Sequence, residues 1–324
     1  MNFQNKQGRV IKKILVIHYS QTGQLSDVVQ SMLAPLRQTE NIHVREEVLK
    51  PVQAYPFPWS LFSFLDAFPE SVRLDPAPIE PLTVDADESF DLIVLAYQVW
   101  YLSPSPPITA FLTSAAGRRL ISGKPVVTVV ACRNMWLMAQ ETVKRLLRDA
   151  GAHLCDNIAF VDRANVLATL ITTPRWLLTG RRDEFFGLPR AGIAEEDITG
   201  AVRFGDALAR ALAEDREQAH MPMLTGLRAA DVDPAMIMSE RAGHRAFRVW
   251  SGFIRRFGKP GQWRRRPALA LFVVYLIVMI ATVVPLSLIL RRALAPLLRK
   301  RLDVLKAYYE QPSGNADFRL SRHE

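Results

Sequence analysis

Apolar runs and helical patterns alternate along the first two-thirds of the chain. Apolar runs at Ile14–Ile17, Leu92–Ala96, Val126–Ala131 and Ile158–Val161, with the mixed run Ile42–Val48, predict five strands. Apolar residues three and four apart predict helices over Ser26–Gln38, Pro107–Ala116, Met138–Ala150 and Asp197–Glu214. Uninterrupted apolar strands separated by helices imply a parallel sheet covered on both faces. Five strands suit a doubly wound α/β fold, whose ligand site lies at the carboxyl ends of the strands. Two segments break the alternation: residues 50–87, with "YPFPWSLFSFLDAFPE", and residues 164–192, with "ANVLATLITTPRWLLTGRRDEFFG". Both exceed the roughly 4–6 residues usual between elements of a compact domain. They fit two roles equally well, a lid or lipid-facing surface at the ligand end, or a cover for sheet edges.

A different pattern follows. Pro267–Leu290 runs for 24 residues without a charge, between Arg264-Arg265-Arg266 and Arg291-Arg292. About 20 apolar residues span a bilayer core as a helix, so this stretch predicts a transmembrane helix, with Pro285 as a kink near its end. The expected organisation is a domain over 1–214, a basic connector over 215–266, the span over 267–290 and a basic, then polar, tail over 291–324.

Charge sharpens this division. The net charge is +9, but residues 245–306 carry fourteen Lys and Arg against the single acid Asp303, a local +13 that leaves −4 for the rest. Basicity this regional excludes a domain-wide nucleic-acid footprint. Trp250, Phe253, Phe257 and Trp263, interleaved with arginines beside the span, suit a helix on anionic headgroups better than a nucleic-acid arm. Basic residues on both sides give the positive-inside rule no clear choice for the tail. The opening "MNFQNKQGRVIKK" lacks the apolar core of a signal peptide, so the expected location is the inner membrane, single-pass, with the main domain in the cytoplasm. Two cysteines, Cys132 and Cys155, argue against a disulfide framework or a zinc site.

The candidate chemistry sits where strands end. The first run leads through "VIHYSQTGQLSDVV" into Ser20, Gln21, Thr22, Gly23, Gln24 and Leu25. Such a turn presents free N–H groups and the positive end of a helix dipole to an anion. The hydroxyls can add hydrogen bonds and Gly23 permits close approach. An ordinary tight turn is the alternative. Without a lysine it is not a triphosphate loop, and the G-x-G-x-x-G fingerprint is missing. The third run leads into "AYQVWYLSPSPPI", where Tyr97, Trp100 and Tyr101 can stack on a flat ring, and the fourth into "ACRNMW", with Cys132, Arg133 and Asn134. His18 ends the first strand, either as a proton carrier or as a buried core histidine. Cys132 reads as a small buried residue and not as a nucleophile.

These three loops resemble those of flavodoxin-like proteins over residues 12 to about 214. The resemblance implies a five-stranded flavodoxin-like sheet binding flavin mononucleotide (FMN), with a phosphate loop at 20–25 and ring-flanking loops near 97–104 and 132–136. Where the family often continues S/T-x-T-G-x-T, this chain has Leu25, with Ser26 as a substitute. "KKILVIHYSQTGQL" and the later apolar helix are also similar to the flavodoxin-like enzyme of dialkylresorcinol and aryl-polyene clusters. That likeness implies an aromatase-type oxidoreductase converting a dialkylcyclohexanedione to a resorcinol, with Tyr97, Tyr101, Arg133 and His18 as catalytic candidates. Its implied partners are a hydrophobic substrate, a ketosynthase, a nicotinamide cofactor or other redox partner, and a second copy of the chain. Two other classes stay open: an FMN-dependent quinone reductase or electron carrier at the membrane, and a non-catalytic scaffold for a ketosynthase.

Overall fold

The structure, a computed structural model, describes residues 11–320, and the side chains of all of these except 283–298. Strand β1 (Lys12–His18) lies inside the sheet, with Ile14 and Val16 buried on one face and Leu15 and Ile17 on the other. It leads into α1 (Gln24–Gln38) and β2 (Ile42–Val48). Next come two short helices, α2 (Leu61–Asp66) and α3 (Phe68–Arg73), then β3 (Leu92–Trp100) and the two-residue β4 (Ser103–Pro104). The domain continues through α4 (Pro106–Thr113), α5 (Ala115–Ile121), β5 (Pro125–Cys132), α6 (Leu137–Asp149), β6 (His153–Val161) and α7 (Val166–Thr179). Helices α8 (Glu195–Thr199), α9 (Val202–Ala213), α10 (Pro234–Arg255) and α11 (Arg266–Glu310) complete it.

The parallel strands are ordered β2-β1-β3-β5-β6, the doubly wound order of the flavodoxin type. Helices α1 and α9 bury one face, and α4, α5 and α6 the other. All carboxyl ends of the strands therefore meet on one edge.

The structure departs from the sequence pattern in instructive places. Strand β3 continues four residues past Ala96, because its end pairs with β4 through Val99 and Pro104. The helix expected over 107–116 breaks at Ser114, whose hydroxyl caps α5 by accepting from the Gly117 N–H. The one expected over 197–214 breaks at Gly200. In the connector, residues 234–255 form the 22-residue helix α10, capped by the Asp233 carboxylate. Trp250 and Phe253 are not free for headgroups: they pack with Phe68, Phe247, Ile254 and Phe272 in a third apolar cluster joining α3, α10 and α11. Arg265, expected as a membrane-flanking charge, is fully buried and ion-paired to Asp66 at 3.3 Å and Glu70 at 3.0 Å.

Helix α11 is continuous over 45 residues, about 67 Å at the α-helical rise; the side chain of Pro285 lies outside those described. Its stretch Trp263–Thr282 is long and apolar enough to cross a membrane. The residues after it turn back onto the domain, where Ser313 is buried beside β6.

Candidate cofactor site

At the carboxyl edge of the sheet, the turns after β1, β3 and β5 surround a crevice of about 180 Å³. The β1 turn forms one end. Gly23 precedes α1 with φ 87°, a left-handed conformation natural only to glycine, and no side chain caps the helix. The first N–H groups of α1 are thus open to an anion. The Ser20 hydroxyl is buried and has no hydrogen-bond partner among the described residues. Thr22 lines the crevice. A buried hydroxyl left orphaned beside an uncapped helix end fits an anionic group that supplies the missing acceptor.

Aromatic rings form the rest. Trp100 meets Trp59 at 5.5 Å, Tyr55 at 5.0 Å and Tyr19 at 6.3 Å between centroids, all edge-on. Trp59, Phe64, Trp100, Tyr101 and Trp176 line the space, a setting for a flat, partly apolar ring. Trp59 and Phe64 come from the first insertion and Trp176 from the second. The two insertions meet over the crevice, where the Trp59 N–H donates to the Leu177 carbonyl and Phe57 packs edge-on to Trp176. Here they form a roof, while the later part of the first insertion also covers edge strand β2, where the Thr83 and Val84 N–H groups donate to the buried Glu47 carboxylate.

Each expected site residue has a definite place. Gln21, Thr22, Gln24, Leu25, Trp100, Tyr101, Cys132 and Arg133 line the crevice. The Gln21 N–H already donates to Gln98 Oε1, and the Gln24 amide is spent on both the N–H and carbonyl of Ile193, pinning the end of the second insertion. Leu25 is mostly core. Arg133 donates from Nε to Thr169 Oγ1 at 2.7 Å and from Nη2 to the Val166 carbonyl, so α7 aims it. Burial lowers its pKa, opposed by the nearby Asp162 carboxylate. Burial, then the Glu240 and Asp162 charges, push the Cys132 thiol well up, keeping it neutral. The Tyr101 hydroxyl donates to the Phe64 carbonyl and ties the loop after β3 to the roof.

Five expected residues do not line the crevice, Ser20 and Gly23 lying in the β1 turn beside it. Tyr97 is fully buried and donates to Gln140 Oε1 at 2.6 Å within the sheet–α6 core. The longer β3 makes it a strand residue rather than a loop residue. His18 is buried, 3.5 Å from Glu46, and burial lowers its pKa. Asn134 is half-buried and does not line the space. The residues that the sequence reading passed over are Trp59, Phe64, Gln98, Asp162 and Trp176. Asp162 fastens the roof, accepting from the Ala164 and Gly192 N–H groups at both ends of the second insertion. Its place directly after an apolar strand was the available signal.

No family model matches the chain, and no curated protein matches it. Solved structures similar to it include a flavoprotein in complex with FMN from Lactobacillus acidophilus, 14% identical over 46% of this chain and 93% of that one, TM-score 0.37. A flavodoxin from the domain Archaea is 10% identical over 62% and 99%, TM-score 0.32. Flavodoxin 1 from Bacillus cereus is 14% identical over 60% and 95%, TM-score 0.32.

Proposed function

We propose that the chain is an FMN-dependent oxidoreductase attached through α11 to the cytoplasmic face of the inner membrane, oxidising a hydrophobic cyclic 1,3-diketone to its resorcinol. One observation carries the flavin part: the uncapped amino end of α1, preceded by a turn that holds the orphaned Ser20 hydroxyl, adjoins an aromatic-lined crevice that Thr22 enters. Ser20, Thr22 and the first amides of α1 hold the phosphate. Trp100, Tyr101 and the roof tryptophans would hold the ring, with Arg133 in the same crevice.

Bound FMN supplies a two-electron acceptor for the hydride that leaves the substrate ring. The protein's own part is positioning and charge. Arg133, aimed by Thr169, stabilises the enolate oxygen as the neighbouring proton departs to water. The Tyr101 hydroxyl is engaged with Phe64 and serves as wall and strut. The apolar roof excludes water and accepts alkyl chains, which favours a small greasy substrate over a protein redox partner. The choice of diketone rests on the similarity of "KKILVIHYSQTGQL" and the following domain order to the dialkylresorcinol-cluster enzyme.

Titration of the full-length protein with FMN and with riboflavin tests the assignment. The double variant Ser20→Ala/Thr22→Ala is expected to weaken FMN about tenfold or more, since bonds to charged groups contribute about 1.5–3 kcal/mol each. Riboflavin, lacking the phosphate, should bind the variant and the parent alike. Equal loss for both ligands would remove the phosphate from this turn. Turnover of a dialkylcyclohexane-1,3-dione should fall at least about tenfold in Arg133→Ala and be largely restored in Arg133→Lys. Unchanged turnover in Arg133→Ala would remove the enolate role.

A further inference from the structure

Both ends of α11 rest on the same domain. At its start, Arg265 is buried against Asp66 and Glu70, and Leu269 and Phe272 lie in the cluster of Phe68 and Trp250. At its end, Tyr309 is buried against the sheet–α6 core and Glu310 accepts from the Val232 N–H. Beyond it, Ser313 donates to Asp156 at 2.7 Å and accepts from the Asn157 N–H at 2.8 Å, at the heart of β6. The Arg228 and Ala230 N–H groups donate to Ala316 and Gly314, and Arg319 reaches the Met223 carbonyl. Withdrawing this tail would leave the buried Asn157 backbone amide without its partner and take one of three donors from the buried Asp156 carboxylate.

A helix cannot cross a bilayer and also return its end to the side it left unless the return segment crosses too. The chain between Arg291 and Lys306 would have to do so, and it carries Arg291, Arg292, Arg299, Lys300, Arg301 and Asp303. A bilayer core takes about 20 apolar residues, and that segment is both shorter and dense in charge.

We infer that α11 lies along one leaflet of an anionic bilayer instead of crossing it, keeping the carboxy-terminal tail on the same side as the sheet domain. This deepens the membrane attachment proposed above and rests on it. The outward face of α11 is as apolar as its packed face: Leu271, Val274, Ile277, Val278 and Ile280 are exposed. Exposed Arg264, Arg266, Arg299, Lys300 and Arg301 stand to either side, matched to acidic headgroups. The face runs on into the crevice roof, since Arg266 sits over Phe62, exposed on α2 beside roof residue Phe64. A substrate dissolved in the leaflet thus meets the roof directly.

The test joins two measurements on the full chain. Flotation with vesicles of phosphatidylcholine and phosphatidylglycerol reads attachment, and fusions of green fluorescent protein or alkaline phosphatase after Glu324 read the side of the tail. The expected result is co-flotation that drops severalfold without the acidic lipid, with a fluorescent and phosphatase-inactive carboxy terminus. Co-flotation with active phosphatase would overturn the inference while leaving membrane attachment intact. Failure to float, with the chains instead pairing in solution, would overturn both.

Discussion

The Ser20 hydroxyl and the Gln24 amide illustrate how neighbouring residues of one turn divide their labour. The Ser20 hydroxyl has no partner among the described residues, whereas Gln24 is committed to the Ile193 backbone and closes the roof. Gln24→Ala should therefore leave a buried amide and carbonyl unpaired, costing about 1–3 kcal/mol locally. It is expected to speed flavin release in stopped-flow dilution while leaving the riboflavin-to-FMN affinity ratio unchanged. A second residue sets a pH response. Glu240 is buried and accepts from the Met138 N–H at the start of α6, and burial pushes its carboxyl from 4.5 up to about 7. The fold thus favours the neutral acid. As pH rises between those values the unfolded chain ionises first, so stability falls by on the order of 3 kcal/mol from this group. Denaturant unfolding below and above that window should show the loss in the parent, and a markedly smaller one in Glu240→Gln, which keeps the acceptor. An equal loss in both would place the response elsewhere.

Among the elements, the joint between α11 and the roof depends on Arg265. Its removal leaves Asp66 and Glu70 facing an apolar cluster, and breaking a buried pair from one side costs about 3–5 kcal/mol. Arg265→Leu should destabilise the chain by that order in thermal or denaturant unfolding, with Glu70→Gln in the same background restoring part of it. The central strands β1, β3 and β5 were legible in the sequence because each is largely buried on both faces and so mostly apolar, whereas edge strand β2 showed only Ile42, Val44 and Val48 among polar and charged residues. Helix α10 was not: Ile237, Trp250 and Ile254 are its inward side, hidden among arginines, and their partners on α3 and α11 are remote in the chain. The site was half legible for the same reason. Thr22, Trp100, Tyr101, Cys132 and Arg133 lie at or just past strand ends, whereas Trp59 and Trp176 lie in segments without a period and reach the crevice only because the two insertions meet. Tyr97 misled because β3 outlasts its apolar run, and strand alternation then turns that ring into the α6-side core.

The whole molecule couples a crevice at the sheet's carboxyl edge to an apolar helix through one continuous surface of α2, α7 and α11. Under the proposed function, membrane attachment, substrate access and flavin chemistry would be properties of a single face. The redox chemistry presupposes the flavin, and one measurement bears on it most directly: the stoichiometry of FMN retained by the purified, folded full-length chain after gel filtration with excess cofactor. One FMN per chain, with the flavin fluorescence quenched by the surrounding tryptophans, is the predicted result. A folded chain that emerges colourless from saturating FMN would contradict the account at its base.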